Sequence, residues 1–193
     1  MESADPTPAQ AQPHAPLEGR LVRLRSREPS DIRRANQLFN DPDVLSGLLM
    51  TFPLATAGTR EWFEGTRNDP NGERFAIDTL EGELIGMCSI EEIDARARSA
   101  EVGIWLGRPY WGHGFGTDAV RVLARFGFRS LNLQRLTLHV YATNEKAIRA
   151  YEKVGFKVEG RLRRDQFLDG GYVDTLVMGL LAEELLESEE PLG

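Results

Sequence analysis

The chain predicts a single α/β (α+β) domain: a mixed, mostly antiparallel sheet of about seven strands, one parallel pair among them, with about four helices. Three observations carry that expectation. A glycine turn, Trp111-Gly112-His113-Gly114-Phe115-Gly116, separates a strand-like run from an amphipathic helix. A second strand and helix follow about thirty residues downstream, over 134–141 and from Asn144. Two further strand pairs meet across Glu81-Gly82 and Asp169-Gly170-Gly171, both strong hairpin signals.

The elements follow in order. Residues 1–17 hold Pro6, Pro8, Pro13 and Pro16 among Ala and Gln, with almost nothing to bury, and read as a disordered tail. The domain is expected over 18–182, with an acidic tail over 183–193. Residues 19–25 set Leu21, Val22 and Leu24 among arginines and form a first strand. Pro29, Ser30 and Asp31 open a helix with Ser30 as its expected cap and Ile32, Ala35, Leu38 and Phe39 on one face. Residues 41–57 are expected as a loop whose apolar members, Leu45, Leu48, Leu49, Met50 and Phe52, cover the core or wall a pocket. A second helix is predicted over 59–68, then strands over 74–79, 83–93 and Ser99–Leu106.

Val120, Leu123, Ala124, Phe128 and Leu131 keep helical spacing over 117–131. Leu136, Leu138 and Val140 alternate on the strand after it. The helix over 145–154 stops at Gly155, and strands over 156–167 and Gly171–Leu181 close the chain. A strand–helix–strand crossover is right-handed, so the strands flanking the helix over 117–131 are expected to be parallel. No internal repeat is evident.

Composition narrows the function. A chain of 193 residues, 41% hydrophobic, suffices for one substantial core. Cys88 is the only cysteine, so no disulfide forms within the chain. No apolar run approaches the roughly 18 residues of a membrane span, the start lacks the pattern of a secretory signal, and the expected location is the cytoplasm. Five of the thirty acids (Glu183, Glu184, Glu187, Glu189, Glu190) lie in the final segment. Without them 23 basic residues face 25 acidic ones, or −2, so most of the formal charge of −7 is a solvated tail. Nothing points to nucleic acid as a main ligand. Three scattered histidines and one cysteine offer no metal-ligand spacing, and no metal is expected.

The glycine turn has two readings. It is a tight strand-to-helix connection, or it is an anion site in which glycines let a ligand reach the unpaired N–H groups of the first helical turn. Alone the motif does not decide between them.

Taken with the downstream run Ala-Ile-Arg-Ala-Tyr-Glu-Lys-Val-Gly-Phe (147–156), the turn resembles the GCN5-related N-acetyltransferases, in their RimJ/RimL-like and polyamine-acetyltransferase branch. The family's signature, Arg or Gln, two residues, Gly, one residue, then Gly or Ala, falls on Trp111, Gly114 and Gly116. Trp111 departs from it, which leaves phosphate binding to the backbone, His113 and other positive groups. The resemblance spans residues 19–181. It implies acetyl-CoA as co-substrate and direct acetyl transfer to a primary amine, either a small molecule such as a polyamine or a protein N-terminus. It implies that strands four and five splay apart, and that Gly112, His113, Gly114, Phe115, Gly116 and Thr117 hold the diphosphate. Ile104, Trp105 and Leu106 would pair through main chain with the pantetheine arm, and Asn144 would meet the same arm. Tyr151 would protonate the leaving thiolate, and homodimers are common in the family, here through the apolar segment 175–181 with Leu185 and Leu186.

Each residue also has a plainer role. Ile104, Trp105 and Leu106 are buried strand, Asn144 is a helix cap, and Tyr151 is a core tyrosine. Glu101 is the first candidate for the base, with Asp165 second; either is equally a solvent-facing strand acid. His139 alternates with apolar neighbours and reads as a packed or hydrogen-bonded imidazole rather than a base. Two other functions compete with the enzyme: a catalytically silent CoA-binding sensor or interaction module, and a nucleotide-binding protein. The second lacks Gly-Lys-Ser/Thr after the turn.

Overall fold

A clamp of charged side chains fixes the first turn of structure. Arg25 donates to both Asp31 oxygens (2.8 and 2.9 Å) and, through Nε at 2.6 Å, to Asp78. It thereby joins β1 (Val22–Ser26), the start of α1 (Asp31–Phe39) and β2 (Glu73–Thr79). The computed structural model describes residues 17–48, 52–67, 69–168 and 170–186. Ser30 occupies the cap position of α1 but makes no side-chain cap bond. The Asp31 carboxylate ties down the segment ahead of the helix, accepting the Glu28 N–H at 2.7 Å.

The segment expected as a loop contains a helix, α2 (Pro42–Gly47), capped by the Asp41 carboxylate on the Asp43 N–H. Leu45 is buried and Phe52 is exposed, whereas Leu49 and Met50 lie outside the described residues. After α3 (Thr56–Gly65), the chain runs β2, β3 (Leu84–Asp94), β4 (Ser99–Leu106), α4 (Phe115–Arg129), β5 (Arg135–Tyr141), α5 (Glu145–Glu152), β6 (Lys157–Leu168) and β7 (Gly171–Leu181). Single 3₁₀ turns lie at Arg108–Tyr110 and Ala182–Glu184.

The seven strands form one sheet in the order β1-β2-β3-β4-β5-β7-β6. Every neighbouring pair is antiparallel except β4 and β5, the expected parallel pair. The main core lies on the α4 face, where Ile77, Ile85, Ile90, Val102, Leu136, Leu138, Met178 and Leu180 meet Val120 and Leu123. A smaller cluster on the opposite face joins Ile32, Ala35 and Phe63 to Met87, with Trp105 against it.

The β4–β5 ladder is short. Only Ser99–Arg135, Ala100–Leu136 and Glu101–Thr137 pair. β4 continues with β3 to Leu106–Gly86, and β5 continues with β7 to Tyr141–Thr175. The two parallel strands therefore part after Glu101 and Thr137. Two bulges flank this parting. One follows Glu91 in β3, where Glu92 has φ 53°; the other follows Leu162 in β6, where Arg164 has φ 53°. Asp174 holds the second by accepting the Arg164 N–H at 2.8 Å.

β7 lies between β5 and β6, so the apolar segment 175–181 is interior and the sheet's two edges are β1 and β6. The acidic segment expected as a tail is described only to Leu186. Up to there it packs on the domain: the Leu186 N–H donates to the Val154 carbonyl at 2.9 Å. Gly155, at φ 115°, passes so close to Glu184 that a Cβ would lie 2.3 Å from its carbonyl oxygen. Of the expected N-terminal tail, only Leu17 is described; its carbonyl accepts the Leu24 N–H at 2.8 Å. Residues 1–16 and 187–193 lie outside the described residues.

Candidate active site

The glycine turn begins with a departure from the family pattern that has its own use. Trp111 donates its indole N–H to the Leu106 carbonyl at 2.8 Å, closing the end of β4 onto the turn. Gly112 and Gly114 have φ 80° and 86°, conformations that L side chains adopt with strain. Gly114 is the N-cap of α4, so the helix starts at Phe115, two residues before the predicted Thr117. The N–H groups of the first helical turn and the positive end of the α4 dipole then face the turn. A Cβ at Gly114 would lie 3.2 Å from Leu21, whereas one at Gly116 would rest 3.5 Å from Leu106, an ordinary contact. His113 is exposed, and its ring centroid is 6.2 Å from that of Phe115. Thr117 is half-buried in the first turn of α4. Ahead of the turn, Tyr110 accepts a bond from Arg34 and donates to Glu83, pinning the approach to α1 and to the β2–β3 hairpin.

The free edge of β4 leads into this turn. The Gly107 N–H donates to the Ile85 carbonyl on β3 at 2.8 Å. Main-chain direction alternates along a strand, so Trp105 also turns its N–H toward β3. Ile104 and Leu106 turn theirs toward the parting from β5. Of the three residues expected to pair with a pantetheine arm, Ile104 and Leu106 present edge groups, and Trp105 packs edge-on against Phe39 instead.

α5 stands across the parting on the α4 side. Asn144 is its N-cap, with Oδ1 accepting the Ala147 N–H at 3.2 Å. That is the plainer of its two expected roles, and it leaves Nδ2 as a donor. Tyr151 is half-buried against the main core, 6.0 Å from Phe156 between ring centroids. Burial pushes its phenol up to about 12. It is a neutral O–H at physiological pH.

The opposite face carries acids. Glu101, Thr137, His139 and Tyr141 share this face by two-residue alternation. Glu101 Oε1 lies 2.9 Å from His139 Nδ1. Glu91, Glu92, Glu101, Val102 and Gly103 line an open pocket of about 130 Å³ beside the pair. The β6 bulge puts Asp165 on Thr175, whose hydroxyl donates to it at 2.8 Å. That bond, with the Gln166 amide, holds the Asp165 carboxyl below its usual range and makes it a weaker base. The Tyr141 hydroxyl is buried with no hydrogen-bond partner, and burial together with the Asp165 charge pushes it up to about 12. Sequence reasoning set His139 aside and did not single out Tyr141. Their shared parity with Glu101 was the signal available. Tyr151 and Glu101 lie on opposite faces of the sheet, on either side of the parting between β4 and β5. Among the described residues no group of His, Cys, Asp and Glu is arranged to hold a metal ion, and no helix is long and apolar enough to cross a membrane.

Known proteins share this fold. The acetyltransferase (GNAT) domain profile matches residues 21–157. The spermidine N(1)-acetyltransferase of Escherichia coli K12 is 32% identical over 172 residues, covering 89% of this chain and 92% of that protein. An uncharacterized N-acetyltransferase of Bacillus licheniformis is 32% identical over 165 residues, covering 83% and 93%. Among solved structures, spermidine N-acetyltransferase from Vibrio cholerae in complex with CoA and spermine superposes with a TM-score of 0.79 at 29% identity, covering 84% of this chain and 96% of that one. A parted parallel pair, a glycine turn opening α4 and a profile match over most of the length lead to one conclusion: the chain belongs to the GNAT family and is an acetyl-CoA-dependent acetyltransferase.

Proposed function

We propose that the chain acetylates a small cationic amine of the polyamine class, by direct attack of the amine on the acetyl-CoA thioester. One observation carries the reading. The unpaired edge of β4 runs from the glycine turn on one side to the carboxylates Glu91, Glu92 and Glu101 on the other. A diphosphate at residues 112–117 and a pantetheine arm along Ile104 and Leu106 would deliver a thioester into the parting. Tyr151 would reach its sulfur from the α4 face, and the amine would arrive from the acidic face. The spermidine-acetylating relatives support the acceptor class.

The chemistry follows from these positions. A helix N-terminus and a nest of amides offset diphosphate charge. An edge N–H of β4 polarises the thioester carbonyl. Glu92 and Glu101, beside a Glu91 already paired with Arg74 at 3.0 Å, favour an ammonium over a neutral or anionic acceptor. A neutral phenol supplies a proton to the departing thiolate, and it stays protonated because burial disfavours the phenolate. No acyl-enzyme is needed: Cys88 is buried and its thiol is pushed up by desolvation, so it is no nucleophile.

Thiol release from acetyl-CoA, measured across spermidine, spermine, amino-sugars and peptides with free N-termini, tests the reading. Turnover is expected with the polyamines. Turnover confined to peptides would replace the acceptor class, and none with any amine would remove the catalytic reading in favour of a CoA-binding module. The chain is further proposed to act in the cytoplasm as a homodimer. The exposed aromatic pair Phe167 and Tyr172, 5.3 Å apart at the tip of the β6–β7 hairpin, supports association. Light scattering at tens of micromolar, roughly the working concentration, would read a monomer if that surface stays open.

A further inference from the structure

We propose that His139, through Nε2, takes the proton of the acceptor amine, and that Glu101 serves as its positioning residue. This deepens the acetyl-transfer reading and rests on it. The 2.9 Å contact between Glu101 Oε1 and His139 Nδ1 bridges the two strands where they part, joining the last paired residue of β4 to a residue two beyond the last pair of β5. A carboxylate beside Nδ1 keeps the ring proton on that nitrogen, and the lone pair is left on Nε2. A neutral imidazole so oriented presents a single lone pair to an incoming ammonium, the arrangement of a general base. Glu101, already engaged with the ring, is freed from the need to act alone.

The surroundings of the ring agree. Glu101 faces it from β4, and the charge of Asp165 reaches it from β6. On its own strand the Tyr141 hydroxyl lies two residues on and Arg135 four residues back, the latter neutralised by Glu159 of β6. The facing residue on β7 is Val177, which does not titrate. Asp165 is bound by Thr175 and Gln166 and is the poorer acceptor. Both members of the pair are partly open to solvent, at 45% for His139 and 35% for Glu101, so an amine and an exit for the proton are within reach.

The proton balance is complete. The ammonium gives one proton to Nε2, and the imidazolium releases it to water. The free amine forms the N–C bond at the thioester carbonyl, and the C–S bond breaks with its electron pair on sulfur. Tyr151 protonates the thiolate, and the second nitrogen proton of the adduct restores the phenol through water. The products are the amide, the CoA thiol and one released proton.

The test is thiol release from acetyl-CoA and spermidine by the full chain, from pH 6 to 10, with acetyl-CoA binding measured in parallel by calorimetry. His139→Asn keeps a donor near Glu101 and removes the base. Its kcat should fall by about 10²-fold or more with acetyl-CoA affinity unchanged, and the acid limb of the parent's pH profile should disappear. Added imidazole should restore part of the rate to His139→Ala. Glu101→Gln should lower kcat less and retain the limb. An active parent whose His139→Asn variant keeps its rate, or loses only in spermidine KM, overturns the assignment. So does an acid limb that vanishes in Glu101→Gln and persists in His139→Asn. A parent that binds acetyl-CoA and is inactive on every amine overturns the underlying acetyl-transfer reading instead.

Discussion

Asp118 accepts the main-chain N–H of Leu21 at 2.8 Å, and its Oδ2 also lies 3.2 Å from the Val22 N–H. A buried carboxylate in the first turn of α4 thus holds the start of β1, and β1 in turn sets Leu21 against Gly114 of the glycine turn. The acid also suits the positive end of the helix dipole. Asp118→Ala would leave the buried Val22 N–H and the part-buried Leu21 N–H unmatched, at about 1–3 kcal/mol for the buried one and less for the other. The expected result is a loss of about 3 kcal/mol in denaturant unfolding and weaker acetyl-CoA binding, because the turn loses its backing.

The glycines of the turn are not equivalent. Gly114 combines a left-handed φ with a Cβ site 3.2 Å from Leu21, whereas Gly116 has ordinary room. Gly114→Val should lose CoA affinity by at least tenfold and lower the melting temperature. Gly116→Ala should fold like the parent and change CoA affinity by less than about threefold, in keeping with the family's tolerance of Ala there. Calorimetric titration of CoA into both variants distinguishes them; equal affinities would remove residues 112–117 as the diphosphate site.

What the sequence revealed depended on range. The strands Ser99–Leu106 and Gly171–Leu181 were legible to the residue, because alternation and bounding turns are local signals. α2 was missed although its start is written in Asp41-Pro42-Asp43, an acid cap followed by proline at the first helical position. The apolar run after it drew attention to burial instead. Ser30 was assigned as a cap from residue type, but the Asp31 carboxylate beside it is held by Arg25 and the Glu28 N–H, and Arg25 is in turn shared with Asp78, 53 residues away in sequence. The Glu101–His139 contact lay furthest out of reach. Parity places each on a face, whereas their meeting depends on the register of two parallel strands whose ladder ends after three pairs.

The Arg25 clamp gives a stability prediction with a defined pH dependence. Burial alone would raise the Asp31 carboxyl; the Arg25 hydrogen bonds, the Glu28 N–H and the guanidinium charge outweigh it and bring it below 3.8. Arg25→Met would strand Asp31 and Asp78, both nearly buried, at about 3 kcal/mol. A carboxyl whose folded pKa is depressed stabilises above its unfolded value and loses that contribution as pH falls through the folded one. The gap between parent and variant should therefore be full near pH 7 and shrink below about pH 4, measured by urea unfolding at several pH values.

Two tyrosines, buried Tyr141 and half-buried Tyr151, set the alkaline limit in the same way. Tyr141 and Tyr151 are both raised from 10 to about 12. The native state then holds more protons than the unfolded chain between these values, so stability falls as pH rises from about 10 to 12. Tyr151→Phe and Tyr141→Phe should each flatten that decline. Tyr141→Phe should also gain stability at pH 7, by about 1 kcal/mol, since the hydroxyl it removes is buried without a partner.

Tyr151→Phe separates packing from catalysis, since phenylalanine fills the same space against Phe156 and the main core. Fold and acetyl-CoA affinity should be nearly those of the parent, and thiol release should drop by about 10²-fold, the usual contribution of a positioned acid. The raised phenol makes a second demand. Because Tyr151 stays protonated to about pH 12, the parent's rate should show no alkaline loss attributable to it at pH 9 or 10. The variant should be slower by the same factor across that range. A deficit that narrows with rising pH would assign the thiolate's proton to another group. An unchanged rate, under conditions where chemistry limits turnover, would leave Tyr151 to packing, with the sulfur taking its proton from water.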